Sequence, residues 1–385
     1  MNTTTILPIE KNKRVIIVDI LRGWALLGVV LVNYFLFFYL GSPTKIPSDD
    51  VASRVLKMII TIIFTNKSRI LLNVLFGYGF GILIDSLTTK GINPLPFFSR
   101  RMFWLLIFGL VNSCFYYGDI LKDYALIGMM LLIFHRVSAK TTLLLAVSTF
   151  LIFPASIVFL SGFSKNVKSP ALELYSSPNI INVIHYGLAD SLKDFFTLNK
   201  IFGLNLVVLG CFFFGRFLQQ IKFFESLGEN KKYIKRSFWA ALLASFALGL
   251  TYFNHNKLGL GFFDHYNIEY WFEACLMICI ASAICWLYLA KKLKTFFHAI
   301  EIIGKMTLTN YLMQNFIGFV LFSGFGFGLL HELPFYGYVL IAIGVYTGQV
   351  HFSRWWLSKY NYGPAEWLWR CLTYESKLSI KKRDI

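Results

Sequence analysis

The chain has 385 residues, of which 56% are hydrophobic, 18% aromatic and only 15% charged, with a mean hydropathy of +0.60. Soluble domains carry about 25% charged residues, so composition excludes a typical soluble enzyme, a disordered chain and a secreted disulfide scaffold, and leaves an all-α, polytopic membrane bundle. The net charge of +17, from 37 Lys and Arg against 20 Asp and Glu, would suggest nucleic acid in a soluble protein; here the basic residues lie between apolar runs, which argues against that partner and for membrane topology.

Ten apolar runs follow in chain order: 21–40, 70–87, 102–117, 124–135, 141–162, 201–221, 237–254, 270–290, 308–330 and 334–352. A membrane-crossing helix needs about 20 residues, and the fourth run is short for that role. The first run follows a polar, basic tail and is too long for a signal-peptide core, so it reads as a retained signal anchor. Residues 51–66 are also apolar, and fit either an interfacial helix or the first part of a tilted second span. Counted loop by loop, 24 basic residues fall in one set of alternate gaps, 11 in the other, and Arg22 and Arg216 within spans. Ten spans with both termini in the cytoplasm satisfy that bias. The largest outer loop is then 163–200. Lys67 and Arg69 begin the second span and read as snorkelling residues. Residues 1–221 form an N-terminal half of about six spans; 222–385 form a C-terminal domain of about four spans plus an interfacial cytoplasmic tail.

None of the six cysteines falls in a segment placed outside. Cys275 and Cys279, one turn apart in apolar surroundings, read as buried thiols rather than metal ligands. The seven histidines show no metal-ligand spacing, and no metal is expected.

Polar groups at membrane depth are costly and mark function by default. Asp19, Arg22 and Asn33 share an arc of about 60° on the first helix and would form one polar seam. An interfacial ion pair for Asp19 and Arg22, with a helix–helix hydrogen bond for Asn33, is the plainer reading. Asp119 lies between the third and fourth runs, as an N-cap or as a general base. Asn310 and Gln314 stack at i, i+4 where the ninth run begins. After the tenth run come Glu366 and Arg370, again at i, i+4 with the acid first, the favoured ion-pair order.

Taken together, Arg14, the Asp19-Ile20-Leu21-Arg22-Gly23 run with Gly28 and Asn33, Phe76-Gly77, Gly79-Phe80, Gly118-Asp119-Ile120-Leu121 with Tyr124-Ala125, Gly304-Lys305-Met306, Thr309-Asn310-Tyr311 with Gln314, and the Gly363-to-Arg370 run with Thr373-Tyr374 resemble the YeiB-like membrane proteins. That family resembles transmembrane acyltransferases such as the lysosomal heparan glucosamine N-acetyltransferase. The resemblance implies an acyl group taken from cytoplasmic acyl-CoA and moved to an acceptor on the far side. Those relatives use a histidine early in the membrane core, where this first helix has Asn33 and no histidine.

An acyltransferase reading assigns Asp119 and Asn33 to catalysis. It assigns Asp19, Arg22, Arg101, Lys305, Asn310, Gln314, Glu366 and Arg370 to a cytoplasmic acyl-CoA mouth, with Glu366 holding Arg370. Acyl-CoA would be a co-substrate, with no cofactor bound permanently. The partners would be membrane lipids and an envelope glycan, lipid or small-molecule acceptor, with an oligomer open. A transporter or flippase for a polar or lipid-linked metabolite, or a non-catalytic envelope scaffold, would use the same buried polar groups without chemistry.

Overall fold

The computed structural model describes residues 14–38, 50–161, 175–197, 199–254, 265–330 and 332–382. Lys11, Lys13, Lys45, Lys165, Lys168, His255, Lys257, His331 and Arg383 lie outside them. Among the described residues the fold is all-α, without a β-sheet. Its helices are α1 (Ile16–Phe38), α2 (Val51–Ile63), α3 (Lys67–Thr89), α4 (Pro94–Ser113), α5 (Leu121–Leu131), α6 (Ala139–Ser161), α7 (Ile180–Phe195), α8 (Asn205–Gln220), α9 (Lys231–Asn254), α10 (Glu269–Leu289), α11 (Lys294–Gly304), α12 (Thr307–Phe322), α13 (Phe335–Lys359) and α14 (Pro364–Tyr374).

Among the described residues six stretches are long and apolar enough to cross a membrane: Ile16–Phe35, Val51–Thr89, Pro94–Ser113, Ala139–Leu160, Lys231–Asn254 and Glu269–Leu289. The molecule is a membrane protein built as a helical bundle. Six of the ten predicted runs coincide with these stretches. The other four became α5, α8, α12 and α13. The first three of these are short, at 11, 16 and 16 residues. α13 is long enough, but its length includes polar groups such as the buried Gln349 and Ser353.

Three segments between the main runs contain helices of their own. Within the apolar stretch 51–66, Val51–Ile63 forms the separate helix α2, which buries Ser53 and Ile60 and exposes Val55, Met58, Ile59 and Ile62. It ends at Ile63, and Asn66, just before α3, takes a φ of 62° that suits asparagine better than most residues. The loop predicted at 163–200 contains α7. Val183, Gly187, Ser191 and Phe195 make its buried stripe, and the Asn179 side chain caps it by accepting from the Ile181 N–H at 2.9 Å. The predicted cytoplasmic loop around 291–305 contains α11, with Phe297, Ile300 and Ile303 buried.

One apolar core runs through helices from both halves of the chain. Two close crossings organise it. α1 meets α11 where a Cβ on Gly23 would overlap the Ile300 carbonyl, and one on Gly304 would overlap the Asp19 carbonyl. α3 meets α8 the same way, Gly77 on the Phe212 carbonyl and Gly215 on the Val74 carbonyl. Small residues let membrane helices approach this closely, and packing then replaces the hydrophobic drive that lipid cannot supply.

Candidate functional site: an arginine cluster and a buried carboxylate

Asp19 sits in the first turn of α1, where the exposed N–H groups favour an anion. It is buried. It accepts from Arg14 Nε at 2.5 Å, Arg14 Nη2 at 3.2 Å and Arg22 Nη1 at 3.4 Å. Arg22 also donates to the Leu75 carbonyl at 3.5 Å, yet keeps 28% of its side chain exposed. On α4, the Arg101 guanidinium stacks 3.6 Å from the Trp369 ring centroid. The Trp369 indole N–H donates to the Arg101 carbonyl at 2.9 Å, which pins α14 to α4. Arg370 stacks 4.6 Å from the Tyr362 ring.

Arg101 lies within electrostatic range of both Arg370 and Arg22, so α1, α4 and α14 bring three guanidiniums to one place. Stacking uses the faces of Arg101 and Arg370 and leaves their edges. Among the described residues neither side chain donates a hydrogen bond or pairs with a carboxylate. Each guanidinium carries five N–H donors in a plane. Arg100, next in sequence, is spent on Glu375 and the Thr373 carbonyl.

Glu366 does not hold Arg370, contrary to the i, i+4 expectation. Its Oε1 accepts from the backbone N–H groups of Leu308 at 2.7 Å and Thr309 at 3.1 Å, and its Oε2 accepts from the Thr309 hydroxyl at 2.5 Å. The residue before α12 is Met306, which has no capping oxygen, so the orphan donors of that helix need an acceptor from elsewhere. A half-buried carboxylate on three donors is held more firmly than one on a half-exposed arginine. Burial raises the Glu366 pKa, opposed by the Thr309 and Leu308 hydrogen bonds. Lys305 is likewise taken up, by Glu301 at 2.5 Å.

Asn310 and Gln314 form a buried ladder to α13. Asn310 Nδ2 donates to Ser353 Oγ at 3.0 Å, Gln349 Nε2 donates to the Asn310 carbonyl at 2.8 Å, and Gln314 Nε2 donates to Gln349 Oε1 at 2.9 Å. This is helix-to-helix hydrogen bonding. Tyr34 joins it to α1, donating to the Gln314 carbonyl at 2.8 Å. Asn33 is half-buried and makes no hydrogen bond among the described residues. The structure therefore joins Asp19 to Arg22 and places Asn33 further along the helix without a polar contact to either.

Asp119 is buried where α4, α5 and α12 converge. Oδ1 accepts from Asn112 Nδ2 at 2.7 Å and the Tyr311 hydroxyl at 3.2 Å. Oδ2 accepts from the N–H groups of Leu121 at 3.0 Å and Lys122 at 3.3 Å, which is the capping geometry. Beside it the buried Lys122 donates to the Asp119 carbonyl at 2.8 Å, and the buried Asp123 pairs with Lys200 at 3.1 Å. Lys122, Asp123 and Lys200 were missed in the sequence. Lys122 and Asp123 are ionisable residues at the mouth of an apolar run, which is a readable signal; Lys200 lies far along the chain from Asp123 and gives none.

Burial pushes the Asp119 carboxyl up from 3.8 to about 6, against the pull of Lys122 and Asn112 and with some help from Asp123. A carboxyl raised on folding favours the folded state below its unfolded value, and that contribution is lost as pH climbs through the folded value. The stabilisation from Asp119 should therefore fall between about pH 4 and pH 6. Asp119→Asn should remove that part of the slope in thermal unfolding measured across this window. An unchanged slope would mean that the carboxyl titrates normally.

Lys67 does not snorkel. It is fully buried and pairs with Glu273 of α10 at 2.5 Å. The signal was a carboxylate inside the eighth apolar run. Among the described residues no three His, Cys, Asp or Glu side chains are placed to hold a metal, and all six cysteines are free.

Residues 218–376 match the model of a family described as protein of unknown function (DUF418). Over 98% of both chains, the protein is 28% identical to the uncharacterized protein YxaH of Bacillus subtilis. It is 26% identical to an uncharacterized 39.9 kDa protein from the amylase 3' region of Bacillus acidopullulyticus, over 97% of each. A segment covering 20% of this chain and 19% of the relative is 40% identical to the uncharacterized protein YeiB of Escherichia coli. No solved structure matches the chain.

Proposed function

We propose, for this chain with its YeiB-like DUF418 match over residues 218–376, a multi-pass protein of the bacterial cytoplasmic membrane that binds acyl-CoA at the arginine cluster and transfers the acyl group to an envelope acceptor. The observation that carries this reading is the unspent edges of Arg101 and Arg370 beside Arg22. Among the described residues Arg101 and Arg370 hold like charges near one another without a carboxylate partner, which costs energy, and a phosphate-bearing ligand such as CoA would relieve that cost. Planar guanidinium edges suit phosphate because each gives two parallel hydrogen bonds.

In the transfer, the acceptor hydroxyl or amine replaces Tyr311 on Asp119 and gives the carboxylate its proton. The acceptor atom bonds to the thioester carbonyl carbon, the C–S bond breaks, and CoA leaves as the thiol when the proton is returned. A base with a pKa of about 6 is largely ionised at neutral pH and stronger than an ordinary aspartate. The unspent Asn33 amide is assigned to the developing oxyanion.

Calorimetry with CoA tests the reading. Arg370→Gln should weaken binding by about 1.5–3 kcal/mol, the scale of a hydrogen bond to a charged group, while thermal unfolding stays near that of the parent. Failure of the unmutated protein to bind CoA would remove the proposal. Loss of stability with unchanged binding would make Arg370 an anchor instead.

The proposal includes ten crossings with both ends in the cytoplasm. In a cysteine-free background, Lys193→Cys should react with an impermeant thiol reagent on intact cells and Lys232→Cys should not. Equal labelling overturns the topology.

A further inference from the structure

α9 is held to the bundle by a single stripe. Ile234, Ala241, Ser245 and Gly249 are its buried residues, and it packs chiefly on α10. The rest of the helix is divided along its length. Lys231, Lys232, Lys235 and Arg236 occupy the first two turns and are exposed. From Trp239 onward the exposed positions are apolar: Leu243, Phe246, Leu250 and Phe253.

Lys232, Lys235, Arg236, Trp239, Ala240 and Leu243 share one exposed face of α9 that crosses the boundary between the two zones. Among the described residues none of its three cations pairs with a carboxylate. Lys235 is steered over the Trp286 ring of α10 at 6.0 Å. From Lys232 to Leu243 the helix rises about 16 Å.

We propose that this helix face holds an anionic glycerophospholipid, its phosphate among Lys232, Lys235 and Arg236 and its acyl chains along Trp239 and Leu243. Charge and shape both point to that occupant. Three basic side chains on one exposed helix face match an anionic headgroup. A soluble anion would satisfy the cations and leave the apolar wall bare, whereas a lipid covers both over the length available. Tryptophan at the boundary suits the headgroup level. The site stands apart from the arginine cluster and does not depend on the acyl-CoA reading.

The test uses the purified full-length protein in detergent, with native mass spectrometry reading phosphatidylglycerol, phosphatidylcholine and glycerol phosphate in parallel. Phosphatidylglycerol should bind at least about tenfold more tightly than phosphatidylcholine, and excess glycerol phosphate should not displace it. The triple variant K232Q/K235Q/R236Q should lose that preference. K291Q/K292Q/K294Q removes equal charge elsewhere and should keep it. Equal loss in both triples would reduce the effect to bulk surface charge and overturn the site. Displacement by glycerol phosphate, or no headgroup preference, overturns it as well. Trp239→Ala, which changes no charge, should shorten retention of the lipid; unchanged retention would exclude the apolar wall from the site.

Discussion

Gly304→Ala should destabilise the protein by about 3 kcal/mol, towards the upper end of the usual cost of overpacking. The added methyl would overlap the Asp19 carbonyl, and backbone cannot rotate away as a side chain can. The relief is to move α11 off α1, which also opens the reciprocal contact of Gly23 with Ile300. Asp19 and Arg22 ride on the displaced surface, so CoA binding should weaken in parallel. Gly344→Ala is the control. It lies in α13 with nothing within 4 Å of its added Cβ, and should change stability by less than about 1 kcal/mol, in the stabilising direction. Unfolding in mixed micelles reads both. Similar midpoints for the two variants would mean that the helices are not in backbone contact.

Lys67→Met should cost about 3–5 kcal/mol, the loss expected when one member of a buried ion pair is removed. Lys67 Nζ lies 2.5 Å from Glu273 Oε2 and donates to the Thr61 carbonyl at 2.8 Å, with its side chain 1% exposed. Methionine fills similar volume but strands the Glu273 carboxylate between α3 and α10. The double variant Lys67→Met/Glu273→Leu should recover most of the loss, because a well-packed apolar pair often equals a buried ion pair. A double variant as unstable as the sum of the singles would show that the two side chains act separately.

What the sequence revealed followed physical signal strength. α1, α6 and α10 were legible because an apolar run of bilayer length has few alternatives. α7 and α11 were hidden because each buries only one stripe, Val183 to Phe195 in one and Phe297 to Ile303 in the other, so their average polarity resembles a loop. The cluster members Arg22, Arg101 and Arg370 were readable as basic residues near apolar runs, but their convergence is a property of three helices. The partner of Glu366 was misread for a related reason. A local ion-pair rule sees Arg370 four residues away, whereas the donors that win lie on another helix, at a terminus whose own preceding residue cannot cap it. Asp119 was readable as a cap, but its burial showed only once Tyr311 and Asn112 were placed around it.

The contact of Glu366 with the start of α12 also bears on the order in which the protein matures. The ribosome makes α12 before α14, so α12 emerges with its first N–H groups unpaired and receives its cap only after Glu366 has been made. A nascent chain halted after Lys359 would carry all of α12 and α13 without that cap. Protease challenge of stalled chains should find the junction at 304–308 cleavable until Glu366 clears the ribosome exit tunnel, and protected afterwards. Glu366→Ala should leave the junction cleavable at every chain length.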